Sequence, residues 1–256
     1  TDIDIYQIAV PELKTVMKKK SQVDKSISKV QSKFDRDKIR AYTAPKSDKI
    51  LFIGNALTGH FEVPKLLKKM AEEKEIKLSI DTEIYGGKYF KDHYSRSETT
   101  NKVKSGDYNV VVLQGGEYGA ISDTDGFFKY GRLLGDMIRD SGKTPVYYMT
   151  WHHRDYFDTE VDLVRKNYMQ LAHEKNDFLV PVGIAFAKVN AEYPEIQLFY
   201  DGTYQNEKGA YLSALMFYAY LLKQDPAELD FNAELDSSTT KVFKRVVKQV
   251  LKEYQR

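Results

Sequence analysis

A hydroxyl held on a tight turn, close to free backbone N–H groups, is the minimum equipment for acyl transfer. This chain carries that arrangement without the hydroxyl. The apolar run Ile50-Leu51-Phe52-Ile53 ends abruptly in Gly54-Asn55, and a helix-like pattern follows from Val63. That is a buried strand feeding a turn, and in open α/β sheets such turns sit at the carboxyl edge, where ligands bind. A nucleophile at position 56 would be exposed there. The residue is Ala56, and a methyl group cannot attack a carbonyl. Three more segments have a similar character: Tyr85-Gly86-Gly87-Lys88, Leu113-Gln114-Gly115-Gly116 and Asp201-Gly202-Thr203-Tyr204. Paired glycines let the backbone approach a ligand and offer its N–H groups. Gln114 can add an amide donor. Gathered in one crevice, these groups would form an oxyanion hole; taken singly, the glycines need be only tight turns.

Positioning them requires a sheet. Strands are expected near 50–54, 76–84, 109–113, 145–149 and 178–181. Helices are expected between them, near 63–73, 98–105, 125–141 and 159–175. That alternation predicts a parallel sheet with helices on both faces. Further helical patterns cover 184–191 and 207–223. A C-terminal helix follows, with Ser237 or Ser238 as its expected cap and Val242, Phe243, Val246, Val247, Val250 and Leu251 as its apolar stripe. Ahead of the sheet, Val23, Ile27, Val30 and Phe34 fall on one helical face. Residues 1–45 therefore read as a helical appendage, with Ala44-Pro45 as punctuation. It would be a covering element, or a docking arm for a protein partner. The remaining 46–256 form the α/β domain.

Composition narrows the classes. At 256 residues the chain can bury one substantial core. Its net charge of +2 gives little reason to expect nucleic acid. Residues 1–49 carry 12 Lys/Arg against 7 Asp/Glu, and the rest of the chain is net acidic; a solvated basic helix accounts for this. No run approaches the length of a transmembrane helix. The chain has no cysteine, which excludes disulfides, thiolate metal sites and cysteine nucleophiles. Its first residue is Thr1 rather than Met, which fits a removed leader, so a secreted or cell-envelope location is expected, with the cytoplasm as the alternative.

The blocks together resemble the SGNH (GDSL-type) hydrolases. The resemblance runs from 49 to 222 through "ILFIGNALT", "IYGGKYFKDHY", "YNVVVLQGGEYG", "PVYYMTWHHR" and "DGTYQNEKGAYLSALMFYAYL". It implies a three-layer α/β/α, flavodoxin-like fold with five parallel strands. It also implies esterase ancestry, often O-deacetylation of carbohydrates. In that family the first block supplies the serine nucleophile, here Ala56. Gly86 or Gly87 and Gln114 correspond to oxyanion positions. Asp201 corresponds to the acid that orients a histidine, but the histidine position holds Tyr204, and Gln205 replaces the usual proline. A phenol with a reference pKa near about 10 is a poor base at neutral pH.

Two functional readings follow. One is a non-catalytic relative that keeps a cleft facing carbohydrate or a small acylated ligand. The other is a carbohydrate O-acetyl esterase present as an inactive Ser→Ala form. A relocated base at His60, His152 or His153 is a further alternative, as is a purely structural protein docking through 1–45. Asn55, Gly86, Tyr89 and Trp151 are expected to contact the ligand, because aromatic faces with polar tips suit sugar rings. Thr58 is expected to cap the helix start. All five histidines are expected at the surface or packed in loops, without metal-ligand spacing. No cofactor and no metal is expected.

Overall fold

The computed structural model describes residues 38–43, 47–116 and 118–255. Five strands form one parallel sheet: β1 (Lys49–Gly54), β2 (Ser79–Ile84), β3 (Val110–Leu113), β4 (Thr144–Tyr148) and β5 (Phe178–Val180). Their spatial order is β2-β1-β3-β4-β5, the flavodoxin-like arrangement. The inner strands read as continuous apolar runs because both faces are covered; every residue of β3 is buried. The edge strand β2 carries Asp81 and Glu83, which pair with Lys102 at 3.1 and 2.7 Å. Charge on an edge discourages pairing with another chain.

The helices are α1 (Ala56–Gly59), α2 (Val63–Glu73), α3 (Phe90–Ser95), α4 (Ser97–Ser105), α5 (Gly119–Ser122), α6 (Thr124–Asp140), α7 (Phe157–His173), α8 (Val182–Glu192), α9 (Glu207–Leu221) and α10 (Ser237–Tyr254). Alternation along β4 shows the three layers. Tyr148 meets Phe217 of α9 edge-on at 4.9 Å, and Phe52 of β1 meets the same ring at 5.2 Å. On the opposite face the Tyr147 hydroxyl donates to the Gly131 carbonyl of α6 at 3.1 Å. Helix α9 is buried along nearly its whole length, as a helix apolar on all sides must be.

Three sequence expectations change. The second strand begins at Ser79 rather than at 76, because the chain is still turning there: Glu75 takes φ 56° and the Ile76 N–H bonds back to the Ala71 carbonyl at 2.9 Å. The cap of α10 is Asp236, not Ser237 or Ser238; its carboxylate accepts from the Thr239 N–H at 2.8 Å. The cap of α1 is Asn55, not Thr58.

The helical appendage expected over 1–45 lies outside the described residues except at 38–43. Within those, Ile39 is buried and forms a parallel bridge with Gln255. Tyr42 packs on Phe178 at 4.8 Å and on Tyr220 at 5.9 Å. Among the described residues no helix is long and apolar enough to cross a membrane.

Candidate functional site

Register decides where the loops emerge. Gly54 pairs with Ile84, Ile53 with Leu113, and Leu113 with Tyr147. The strands therefore end nearly flush, and their following loops share one edge.

The first loop is held by its neighbour across the sheet. The Gln114 side-chain oxygen accepts from the Asn55 N–H at 2.8 Å and from the Thr58 hydroxyl at 3.0 Å. Its amide nitrogen donates to the Gly115 carbonyl. Only glycine fits at position 54, since a Cβ there would lie 2.6 Å from that Gln114 oxygen. Asn55 then caps α1, accepting from the Leu57 N–H at 3.0 Å, and its amide donates to the Lys88 carbonyl at 3.3 Å. One residue thus ties the first loop to the second. Ala56 follows as the first residue of α1, half-buried. Its N–H precedes the first intrahelical bond and so has no acceptor within the helix.

The second loop is an exposed turn closed by the Lys88 N–H on the Tyr85 carbonyl at 3.3 Å. Gly87 takes φ +65° there, a conformation that is costly for a residue with a Cβ.

The loop from 199 to 205 folds on itself. The Tyr200 N–H donates to the Tyr204 carbonyl at 2.8 Å. The exposed Asp201 carboxylate accepts from the Thr203 and Tyr204 N–H groups at 3.0 and 2.8 Å. The Tyr204 N–H, with Thr203 and the nearby His153 helping, holds this carboxyl below its usual range against a smaller desolvation effect. Two contacts bring this loop to the first one. The Tyr204 ring stacks on His60 at 5.0 Å and 22°. The Gln205 amide donates to the His60 carbonyl at 2.9 Å.

Solved structures share this fold. A candidate SGNH hydrolase from Slackia heliotrinireducens matches 69% of this chain and 100% of its own at 20% identity, with a TM-score of 0.59. The fold is that of the SGNH hydrolases. A DUF4886 family protein from Bacteroides uniformis matches 80% of this chain and 95% of its own at 15% identity, TM-score 0.66. The acetyl xylan esterase AlAXEase matches 67% and 98% at 20% identity, TM-score 0.58. No family model matches the sequence. No curated protein matches it either.

On this SGNH fold the residues singled out from sequence separate into two groups. Ala56, Gln114, Tyr204 and the loop holding Gly86 and Gly87 come together around α1, joined by Asn55 and His60. Asp201 lies at the far turn of the Tyr204 loop. Others are buried and bonded within the chain. Gln114 is fully buried, and its described bonds hold the chain rather than leaving the amide directed at solvent. Asn55, expected to contact the ligand, is likewise buried, with its side chain joining two loops. Trp151 is a clear correction. It is fully buried, stacked on Phe186 at 3.9 Å and 6°, and its indole N–H donates to the Thr203 carbonyl at 2.9 Å. Tyr89 is half-buried, its ring lying against Gly116 and Gly119.

Among the histidines, His153 packs against Gly202 and His152 is buried edge-on to Tyr118 at 5.3 Å. His93 is the exception to the surface expectation. It is buried, and neither ring nitrogen has a hydrogen-bond partner. Burial pushes its imidazole down to about 4, only partly opposed by Asp92, the Gly54 carbonyl and Glu83. Gln205 stands out in the sequence only as the replacement for a proline and His93 only as one of five histidines, and neither the bond to the His60 carbonyl nor the burial is legible there. Phe61 and Glu62, consecutive and left-handed at φ 54° and 53°, were equally invisible, since neither is a residue type that favours that region.

Proposed function

We propose that this protein is a non-catalytic SGNH-fold protein whose carboxyl-edge cleft receives a carbohydrate or a small acylated ligand. The observation that carries the proposal is the methyl group of Ala56 at the first position of α1. A hydroxyl there would sit beside the helix's leading N–H groups; a methyl leaves those N–H groups with nothing to assist. Loss of the nucleophile alone costs on the order of 10⁶ in rate in a well-studied serine protease. The Tyr204 ring, stacked on His60, supports the reading from the other side, because a phenol at that position does not replace a general base.

Carbohydrate is favoured by the aromatic surface near this stack. Phe61 and Tyr200 are exposed at 36% and 76%, and His60 and Phe61 have ring centroids 6.2 Å apart. Such surfaces stack on sugar rings and keep a polar tip for hydroxyls. The acetyl xylan esterase among the structural neighbours points to the same ligand class.

The test restores what is missing. The unaltered chain and Ala56→Ser are expected to leave acetyl-ester hydrolysis at background, and Ala56→Ser with Tyr204→His to raise it. Turnover by Ala56→Ser alone would overturn the non-catalytic reading and identify an esterase awaiting only its serine. Calorimetry with acetylated and plain xylooligosaccharides tests the cleft. Heat of binding lost in Phe61→Ala supports it; absence of binding to both sugars removes the carbohydrate assignment.

A further inference from the structure

Phe61 and Glu62 join α1 to α2, and both are left-handed, at φ 54° and 53°. Neither residue type favours that region, because the Cβ crowds the neighbouring carbonyl. Two such residues in succession hold backbone strain, which persists only where the surrounding structure over-determines it.

The flanks do so here. Before the pair, Gly59 packs so closely on Ile84 of β2 that a Cβ would lie 2.9 Å from its Cγ2. His60 is held twice, by the Gln205 amide on its carbonyl at 2.9 Å and by the Tyr204 ring against its imidazole. After the pair, Val63 is fully buried. The two side chains in between serve the fold little. Phe61 is exposed and lies outside the hydrophobic core; its one ring contact among the described residues is with His60, tilted by 57°. Glu62 supplies no side-chain cap to α2, and its ion pair with Lys65 is exposed on both sides, a kind of contact that contributes little. Strain that the fold itself does not use, at the rim of a candidate site, is characteristic of a binding device.

We propose that this left-handed link presents the Phe61 ring, beside the His60–Tyr204 stack, to the apolar face of a pyranose ring, and that Glu62 is the positioning residue that fixes it there. The inference rests on the carbohydrate reading of the cleft and adds how its stacking face is set before the sugar arrives. A preset ring binds without first being ordered.

The full chain and two variants at position 62 are titrated by calorimetry with plain and acetylated xylooligosaccharides, and are unfolded in urea. Glycine frees the link, whereas asparagine tolerates the left-handed region and also lacks the charge. Glu62→Gly and Glu62→Asn should both raise the urea midpoint, by about 0.2–0.5 M, as strain is relieved. Glu62→Gly should weaken sugar binding by about fivefold or more, because the ring then holds its binding orientation only part of the time. Glu62→Asn should bind within about twofold of the unaltered chain. Undiminished affinity in Glu62→Gly, with the unaltered chain binding, would overturn the inference and leave the carbohydrate reading standing. Equal losses in both variants would overturn it too, since the carboxylate itself would then be the sugar contact. So would midpoints that fail to rise in either variant. No heat with either sugar from the unaltered chain removes the carbohydrate reading and this inference with it.

Discussion

Tyr204 and His60 lie face to face, their ring centroids 5.0 Å apart and their planes 22° from parallel. The contact joins two loops that are distant in sequence and that acyl chemistry would need together. It also helps to hold the Tyr204 loop in place. An aromatic pair is worth about 0.5–1.5 kcal/mol beyond its area burial, enough to anchor a loop that also has the Gln205 bond to the His60 carbonyl.

Tyr204→Leu should therefore lower stability by about 1 kcal/mol, read as a shift in the urea midpoint at unchanged slope. His60→Leu should cost a similar amount, and the double variant less than the sum of the two, since contacting residues are coupled. Strict additivity would show that the rings touch without holding anything.

Gln114 makes a stronger claim. Its side-chain oxygen is the acceptor for both the Asn55 N–H and the Thr58 hydroxyl, and all three residues are buried. Gln114→Leu keeps most of the volume but strands two donors. Each stranded donor costs about 1–3 kcal/mol, so a loss of about 2–6 kcal/mol is expected in chemical unfolding. A loss below about 1 kcal/mol would mean that water or a shifted loop takes over the acceptor role.

The division between what the sequence displays and what it conceals follows from the range of the interactions. Apolar runs ending in glycine identify β1 and β3 because strand burial and turn geometry are local properties. Alternation with helices makes the sheet parallel, but several strand orders satisfy the connection rules, and the flavodoxin-like order is implied only by the family resemblance. The direction of Gln114 is different. Its amide could donate to a ligand or accept from the chain, and the choice is made by Asn55, 59 positions away. Trp151 shows the same limit. Its place in a carboxyl-edge loop suggested a cleft, yet Phe186 of α8 covers one face. His93 sits in a short polar segment, and only the packing of α3 against the sheet buries it.

The buried His93 has a consequence for pH. In an unfolded chain its imidazole takes a proton near the ordinary value of 6.5, whereas burial in the fold lowers this to about 4. The unfolded state therefore binds more protons between those values, and stability rises with pH across that window. The contribution is fully present above pH 6.5 and is lost as pH falls toward 4, amounting to about 3 kcal/mol. His93→Gln should flatten this part of the stability–pH curve, while the carboxylates contribute equally to both proteins. Parallel curves for the two proteins would show that His93 is not buried in its neutral form.

Trp151 is the only tryptophan in the chain, so its emission reports one place. Stacked on Phe186 and fully buried, it should emit to the blue of the unfolded chain. Trp151→Phe preserves an aromatic stack but removes the N–H that reaches the Thr203 carbonyl. One neutral hydrogen bond contributes about 0.5–1.5 kcal/mol, and the smaller ring leaves a cavity in the core, so global stability should fall by about 1–3 kcal/mol. The loop should respond more. The Thr203 and Tyr204 amides, which donate to Asp201, are expected to gain more in deuterium exchange rate than the amides of β3. Local opening of this kind can occur well below the free energy of global unfolding. Unchanged exchange at Thr203 and Tyr204 would show that Asp201 and the His60 stack fix the loop unaided, and that the indole N–H is merely satisfied there.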